Sequence, residues 1–184
     1  MTMKLFRSFA VAAALVLAIA GTALASPENP TTDEVLSAYQ NAVKVYEWFE
    51  HDPLPTQGRE RFDSGYMMYY LVSDPQIKTM MDLKQRVRDT FTDSLASFIM
   101  SENKMYRQND KQLFVAPMAK KKNPKRGVPT LTVKKISDDK YIVTAQTPVY
   151  TDAAKTTLEK TETVEFPYVR TAKGWRFAYF ESLL

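Results

Sequence analysis

The one side chain here whose ordinary charge change falls near neutral pH is His51, and it stands directly before Asp52. A histidine oriented by a carboxylate is a minimal general base. In this chain the two are adjacent and followed by Pro53 and Pro55, a spacing that does not aim both side chains into one cleft. The plainer reading is a surface histidine favourably placed at a helix C-terminus. The sequence has no cysteine, which excludes a thiol nucleophile and sulfur metal ligands. The carboxylates form no pattern either. Glu162 and Glu165 fall on opposite faces of a regular strand, Asp138 and Asp139 share a turn, and Asp63 lies in the approach to a strand. None has the paired arrangement of a glycosidase. Five glycines in the whole chain supply no phosphate loop, and no spacing suggests zinc or calcium. The residues therefore point to a non-enzymatic protein with no cofactor and no metal site.

Two groups of residues suit binding instead. Lys120, Lys121, Lys122, Lys125 and Arg126 place five cations within seven residues beside Asn123, Pro124 and Gly127. Such a loop is expected to project from one end of a sheet and to meet an anionic envelope polymer or protein surface; the plain alternative is a solvated connection. The second group is aromatic: Trp48, Tyr66, Tyr69, Tyr70, Phe166, Tyr168, Trp175, Tyr179 and Phe180. Most of these should be core. A pocket reading would line a concave sheet face with Tyr66, Met68, Tyr70, Phe166 and Tyr168.

The elements that must position these residues are legible from periodicity. The last third reads as four strands joined by short turns: Thr130–Ser137, 140–151, 160–171 and 175–184. Ahead of them, Thr32 is a candidate cap for a helix over 33–50, with Val35, Tyr39, Ala42, Tyr46 and Phe49 on one face and Leu36 and Val43 broadening it. Pro53 and Pro55 stop that helix. Residues 56–61 read as a polar loop, and 66–72 as a strand covered on both faces. Thr79 and Asp82 stand in capping-box spacing before a second helix carrying Leu83, Val87 and Phe91. Thr92 opens a third, with Leu95, Phe98 and Ile99, and residues 105–107 and 112–116 form a hairpin about Asn109 and Asp110. The expected fold is α+β in a single domain, 33–184, with N-terminal helices packed on one curved antiparallel sheet.

Before that domain, residues 1–25 carry Lys4 and Arg7, an apolar run from Phe9 to Ile19, and Ala23-Leu24-Ala25, the layout of a secretory signal peptide. Residues 26–32 form a proline-punctuated linker. Cleavage leaves 23 basic against 21 acidic residues, a charge of about +2 that does not argue for nucleic acid. No other stretch is apolar enough to span a membrane, so the mature chain is expected in the periplasm, cell wall or extracellular space.

Tyr46-Glu47-Trp48-Phe49 before Pro53-Leu54-Pro55, then Gly65-Tyr66, Tyr69, Val72 and Asp74, then Lys78-Thr79 with Asp82-Leu83-Lys84, Val87 and Phe91 make a pattern that resembles the IseA-type family of secreted bacterial inhibitors of cell-wall DL-endopeptidases. The hairpin of 105–116 and the closing Gly174-Trp175-Arg176-Phe177 extend the resemblance over most of the mature chain. It implies a non-catalytic inhibitor that binds the catalytic domain of an NlpC/P60-type peptidase, a peptidoglycan hydrolase of the cell envelope, and blocks its cleft. A looser resemblance, to cone-shaped NTF2-like domains, implies instead a binder of a small apolar ligand or lipid.

Overall fold

The computed structural model describes residues 29–184 apart from Tyr66; the expected leader and the first three residues of the linker, 26–28, lie outside the described residues. The fold is α+β, with three helices and two antiparallel sheets.

Helix α1 spans Thr32–Glu47 and is capped by Thr31, one residue earlier than expected. Thr31 Oγ1 accepts from the Glu34 amide at 3.3 Å, and the Glu34 carboxylate accepts from the Thr31 amide at 2.7 Å, so two orphan donors are satisfied reciprocally. Val35, Tyr39, Ala42 and Val45 are buried at helical spacing. The helix ends at Glu47, three residues short of the expected 50, in a turn where the amides of Glu50, His51 and Asp52 all converge on the Glu47 carbonyl at 3.2, 3.0 and 2.8 Å. Helix α2, Met80–Thr90, has the anticipated capping box between Thr79 and Asp82. Helix α3, Asp93–Glu102, follows Thr92, whose side chain makes no capping bond.

The expectation of one curved sheet is corrected. Strands β1 (Thr56–Asp63) and β2 (Met68–Val72) form a four-stranded sheet with β3 (Tyr106–Asn109) and β4 (Gln112–Val115), in the order β1-β2-β4-β3. The stretch read as a polar loop at 56–61 is thus part of an edge strand, paired to β2 from Thr56↔Val72 to Asp63↔Met68 with a register shift between Gln57 and Arg61. An edge strand keeps one row of backbone groups unpaired and polar side chains outward, which is why its composition imitates a loop. The β3–β4 turn sits at Asp110 and Lys111, one residue later than expected, with φ of 45° and 66°, the paired left-handed geometry of a two-residue hairpin. Strand β2 is covered on both faces as anticipated: Val72 joins the main core, while Tyr69 joins a smaller cluster with Phe114 and Ala116, its ring stacked on Phe62 at 5.0 Å.

The second sheet is the meander β5 (Thr130–Ser137), β6 (Lys140–Tyr150), β7 (Leu158–Thr171) and β8 (Gly174–Phe177), in sequential order. The last strand stops at Phe177, not at 184. Residues 178–184 turn inward, and Phe180 packs against the rings of Tyr39, Tyr46, Phe91, Phe166 and Phe177 at 4.8–5.6 Å. That side chain is where helices α1 and α2 meet the meander. The first sheet is tied in elsewhere, by Tyr106, whose hydroxyl accepts from the Leu54 amide at 2.9 Å and donates to the Trp48 carbonyl at 3.1 Å. Its burial pushes the phenol well above the ordinary range.

Candidate functional site

The basic run does not project. Residues 116–127 form a strap that crosses from the first sheet to the second along the end of α1. The Lys120 amide donates to the Glu50 carbonyl at 2.7 Å, and the His51 Nδ1 lies 2.8 Å from the Lys120 carbonyl. At the far end the Gly127 amide donates to Pro148 O at 2.8 Å and the Tyr150 amide to Lys125 O at 2.9 Å. A side chain at 127 would place its Cβ 2.6 Å from Pro148 Cγ, so only glycine lets the strap lie this close. The cations are held down too. Lys120 pairs with Glu50, Lys122 with Asp52 at 2.7 Å, and Arg126 with Glu162. Lys121 and Lys125 are exposed and make no ion pair among the described residues.

His51 and Asp52 both face the strap. Asp52 binds Lys122, and the imidazole binds the strap backbone, donating from Nδ1 when neutral; the two serve as strap anchors. Glu162 is held below the ordinary carboxylate range, chiefly by the hydrogen bond from Lys160 and with help from Arg126. Glu162 and Glu165 face opposite sides of β7, opposite Thr147 and Thr144 respectively. Among the described residues no group of three His, Cys, Asp or Glu side chains is placed to hold a metal ion.

The five residues of the pocket reading are not brought together. Met68 and Tyr70 are half-buried on β2 of the first sheet, whereas Phe166 and Tyr168 lie on β7 of the second. Phe166 is 0% exposed, with the rings of Tyr39 and Phe180 at 5.2 and 4.8 Å. The space beside it is filled by helix and tail side chains. Tyr66 is outside the described residues.

A different surface emerges beside the strap. A groove of about 290 Å³ opens between the end of α1, α3, the 103–105 loop and the strap, walled by Tyr46, Phe49, Phe98, Ile99, Met105 and Met118. Phe98 and Met118 are 61% and 51% exposed there. Glu50, Glu102, Lys104 and Lys120 stand at its rim. Large apolar side chains exposed singly are ordinary; here two from distant segments converge on one groove. Sequence reading named Leu95, Phe98 and Ile99 on this helix without assigning a face; Ala96 and Ile99 are its buried residues. The available signal was spacing: once Ala96 and Ile99 point inward, Phe98 is turned about 100° away from Ile99. Met118, in a polar segment with no periodicity, carried no such signal. No family model matches the chain, and no curated protein matches it.

Proposed function

We propose that this chain is an exported, non-catalytic regulator that binds a peptidoglycan DL-endopeptidase of the NlpC/P60 type in the cell envelope, with the groove and strap as its docking surface. The observation that carries a docking role is the convergence of exposed Phe98 and Met118 on one groove. A buried anchor side chain entering such a groove supplies most of the affinity of an interface. Lys121 and Lys125, exposed on the adjoining strap, then favour a partner that carries carboxylates on the strap side of its anchor, mainly by speeding its encounter. The peptidase as partner rests on the resemblance to IseA-type inhibitors and on the leader-like residues 1–25. In this reading the helices over the second sheet form the cone of an NTF2-like fold.

The test uses the chain without residues 1–25, added to an NlpC/P60 catalytic domain cleaving muropeptides. Slower cleavage is expected, lost roughly tenfold or more in Phe98→Ser with Met118→Ser, since an anchor of this kind carries about 2 kcal/mol or more. No inhibition and no complex at micromolar concentration sinks the peptidase reading. A second reading, a small apolar ligand or lipid in the same groove, is favoured by its size, about 290 Å³, near the lower end of small-molecule sites. Calorimetry with a single-chain fatty acid separates the two.

A further inference from the structure

The chain has no cysteine, so its methionine thioethers are the only side-chain sulfur open to an oxidant. Among the described methionines, Met67, Met68, Met80 and Met100 are half-buried and Met105 is buried, which leaves Met81 and Met118 exposed. Met81 stands on α2 and walls no part of the groove. Met118 does wall it, and the strap holds it there. The Ala116 amide donates to the Met105 carbonyl at 2.8 Å, the Met118 amide to the Ala116 carbonyl at 2.8 Å, and the Lys120 amide to the Glu50 carbonyl at 2.7 Å. Residue 118 is thus pinned between two anchored neighbours, where its exposed thioether shares a wall with the exposed Phe98 ring. An unbranched thioether is a deformable apolar surface that fits itself to an entering side chain. The same exposure lets an oxidant reach its sulfur.

We propose that Met118 is an oxidation site through which peroxide closes the groove, an inference that rests on the groove as a docking surface but not on the peptidase as its occupant. A sulfur lone pair attacks one oxygen of hydrogen peroxide, the O–O bond breaks, and hydroxide leaves. That hydroxide takes the proton from the transferred oxygen, so sulfoxide and water form; sulfur loses two electrons and peroxide gains them. The product carries a strong S–O dipole in place of an apolar thioether. Open to water, the sulfoxide is well solvated and the free protein barely changes. Under an apolar anchor it loses that water. The walls formed by Phe49, Phe98, Ile99 and Met105 offer no donor in exchange, and Lys120, two residues on, is held by Glu50. The cost falls on the bound state, so docking weakens while the fold is kept. Methionine sulfoxide reductases reverse the change, which makes the site a switch rather than a lesion.

The test treats the chain with limiting hydrogen peroxide, destroys the excess with catalase, and maps the oxidised sites by peptide mass spectrometry. Met118 and Met81 should gain oxygen severalfold faster than Met100 and Met105. Binding of an NlpC/P60 catalytic domain and of a single-chain fatty acid is then measured by calorimetry, before and after treatment. Whichever binds the untreated chain should bind the oxidised chain about tenfold more weakly, and methionine sulfoxide reductases of both epimer specificities should restore it. Met118→Leu, whatever its own starting affinity, should lose none of it to peroxide; Met81→Leu should respond as the wild type does. The melting temperature of the oxidised wild type should stay within a few degrees, so that lost binding is not lost folding. Met118 oxidised no faster than Met105, binding unchanged by oxidation, or a loss that persists in Met118→Leu overturns the switch and leaves the docking surface standing. Fatty-acid binding that responds to peroxide while no peptidase binds sinks the peptidase reading and supports the switch. Binding of neither overturns both.

Discussion

The two sheets of this protein are equal in strand number and both antiparallel, but they differ in how their strands are connected. The second is a meander of strands 4 to 14 residues long in the order β5-β6-β7-β8, so every pair is joined by a local turn. The first has the order β1-β2-β4-β3 with two helices inserted between β2 and β3, and its central β2–β4 seam registers only Tyr70↔Val115 and Leu71↔Phe114. The meander also shares its core with α1 and α2 through Phe180, while the first sheet keeps the separate cluster of Phe62, Tyr69 and Phe114 on its other face. The meander's pairings are all between chain neighbours, whereas the β2–β4 seam joins segments more than forty residues apart, a pairing that closes a long loop first. The groove lies on the side of the second kind, walled by elements adjoining the first sheet.

The strongest way to break this contrast is to cut each core separately. Phe180→Ala should cost about 4 kcal/mol, in the range of buried Phe→Ala changes, and lower the melting temperature by roughly 10 °C in a single transition. Phe114→Ala should cost about 3 kcal/mol but act locally. Hydrogen exchange should speed in β1 to β4 well before β6 and β7. If β6 and β7 exchange equally fast in Phe114→Ala, the sheets are one cooperative unit and the contrast fails.

The strap joins the two sheets, and Gly127→Ala tests how closely. With its Cβ 2.6 Å from Pro148 Cγ, the change should cost about 1–3 kcal/mol through overpacking, seen in denaturant melts. It should also loosen the Arg126–Glu162 contact. An unchanged midpoint would show that the strap has slack at that joint.

Within the strap, the cations divide. Arg126, half-buried against Glu162 and the Leu183 carbonyl, should cost about 1 kcal/mol when replaced by serine, as a partly screened pair does. Lys121→Ser with Lys125→Ser should leave the melting temperature within a few degrees and reduce the salt dependence of partner association. Equal stability losses from both changes would erase the distinction between anchoring and free cations.

The smallest effect is expected from acid at the helix caps. Glu34 is held below its ordinary 4.5 by the Thr31 amide and hydroxyl, and Asp82 below 3.8 by the Thr79 side chain and the amides of Lys78 and Thr79. For carboxyls lowered by folding, the stability they add is present above the ordinary value and lost as pH falls through the folded one. Circular dichroism should show helix fraying only below about pH 4. Fraying that begins near neutrality would assign the effect to another group.

Local chemistry accounts for what the sequence determined by itself. The β5–β8 hairpins follow from period-two alternation and from turns such as Asp138-Asp139, and Thr79-x-x-Asp82 wrote the start of α2 in four residues. Tertiary structure decided the rest. Residues 56–61 became a strand because β2 offered its edge, and the five cations became a strap because Glu50, Asp52 and Glu162, far off in sequence, wait at its anchoring points. The helix α3 face that turns Phe98 outward and the Met118 beside it both depend on contacts between segments tens of residues apart. Periodicity reports which residues share a face of one element; which face a neighbour then covers is set only when the elements pack.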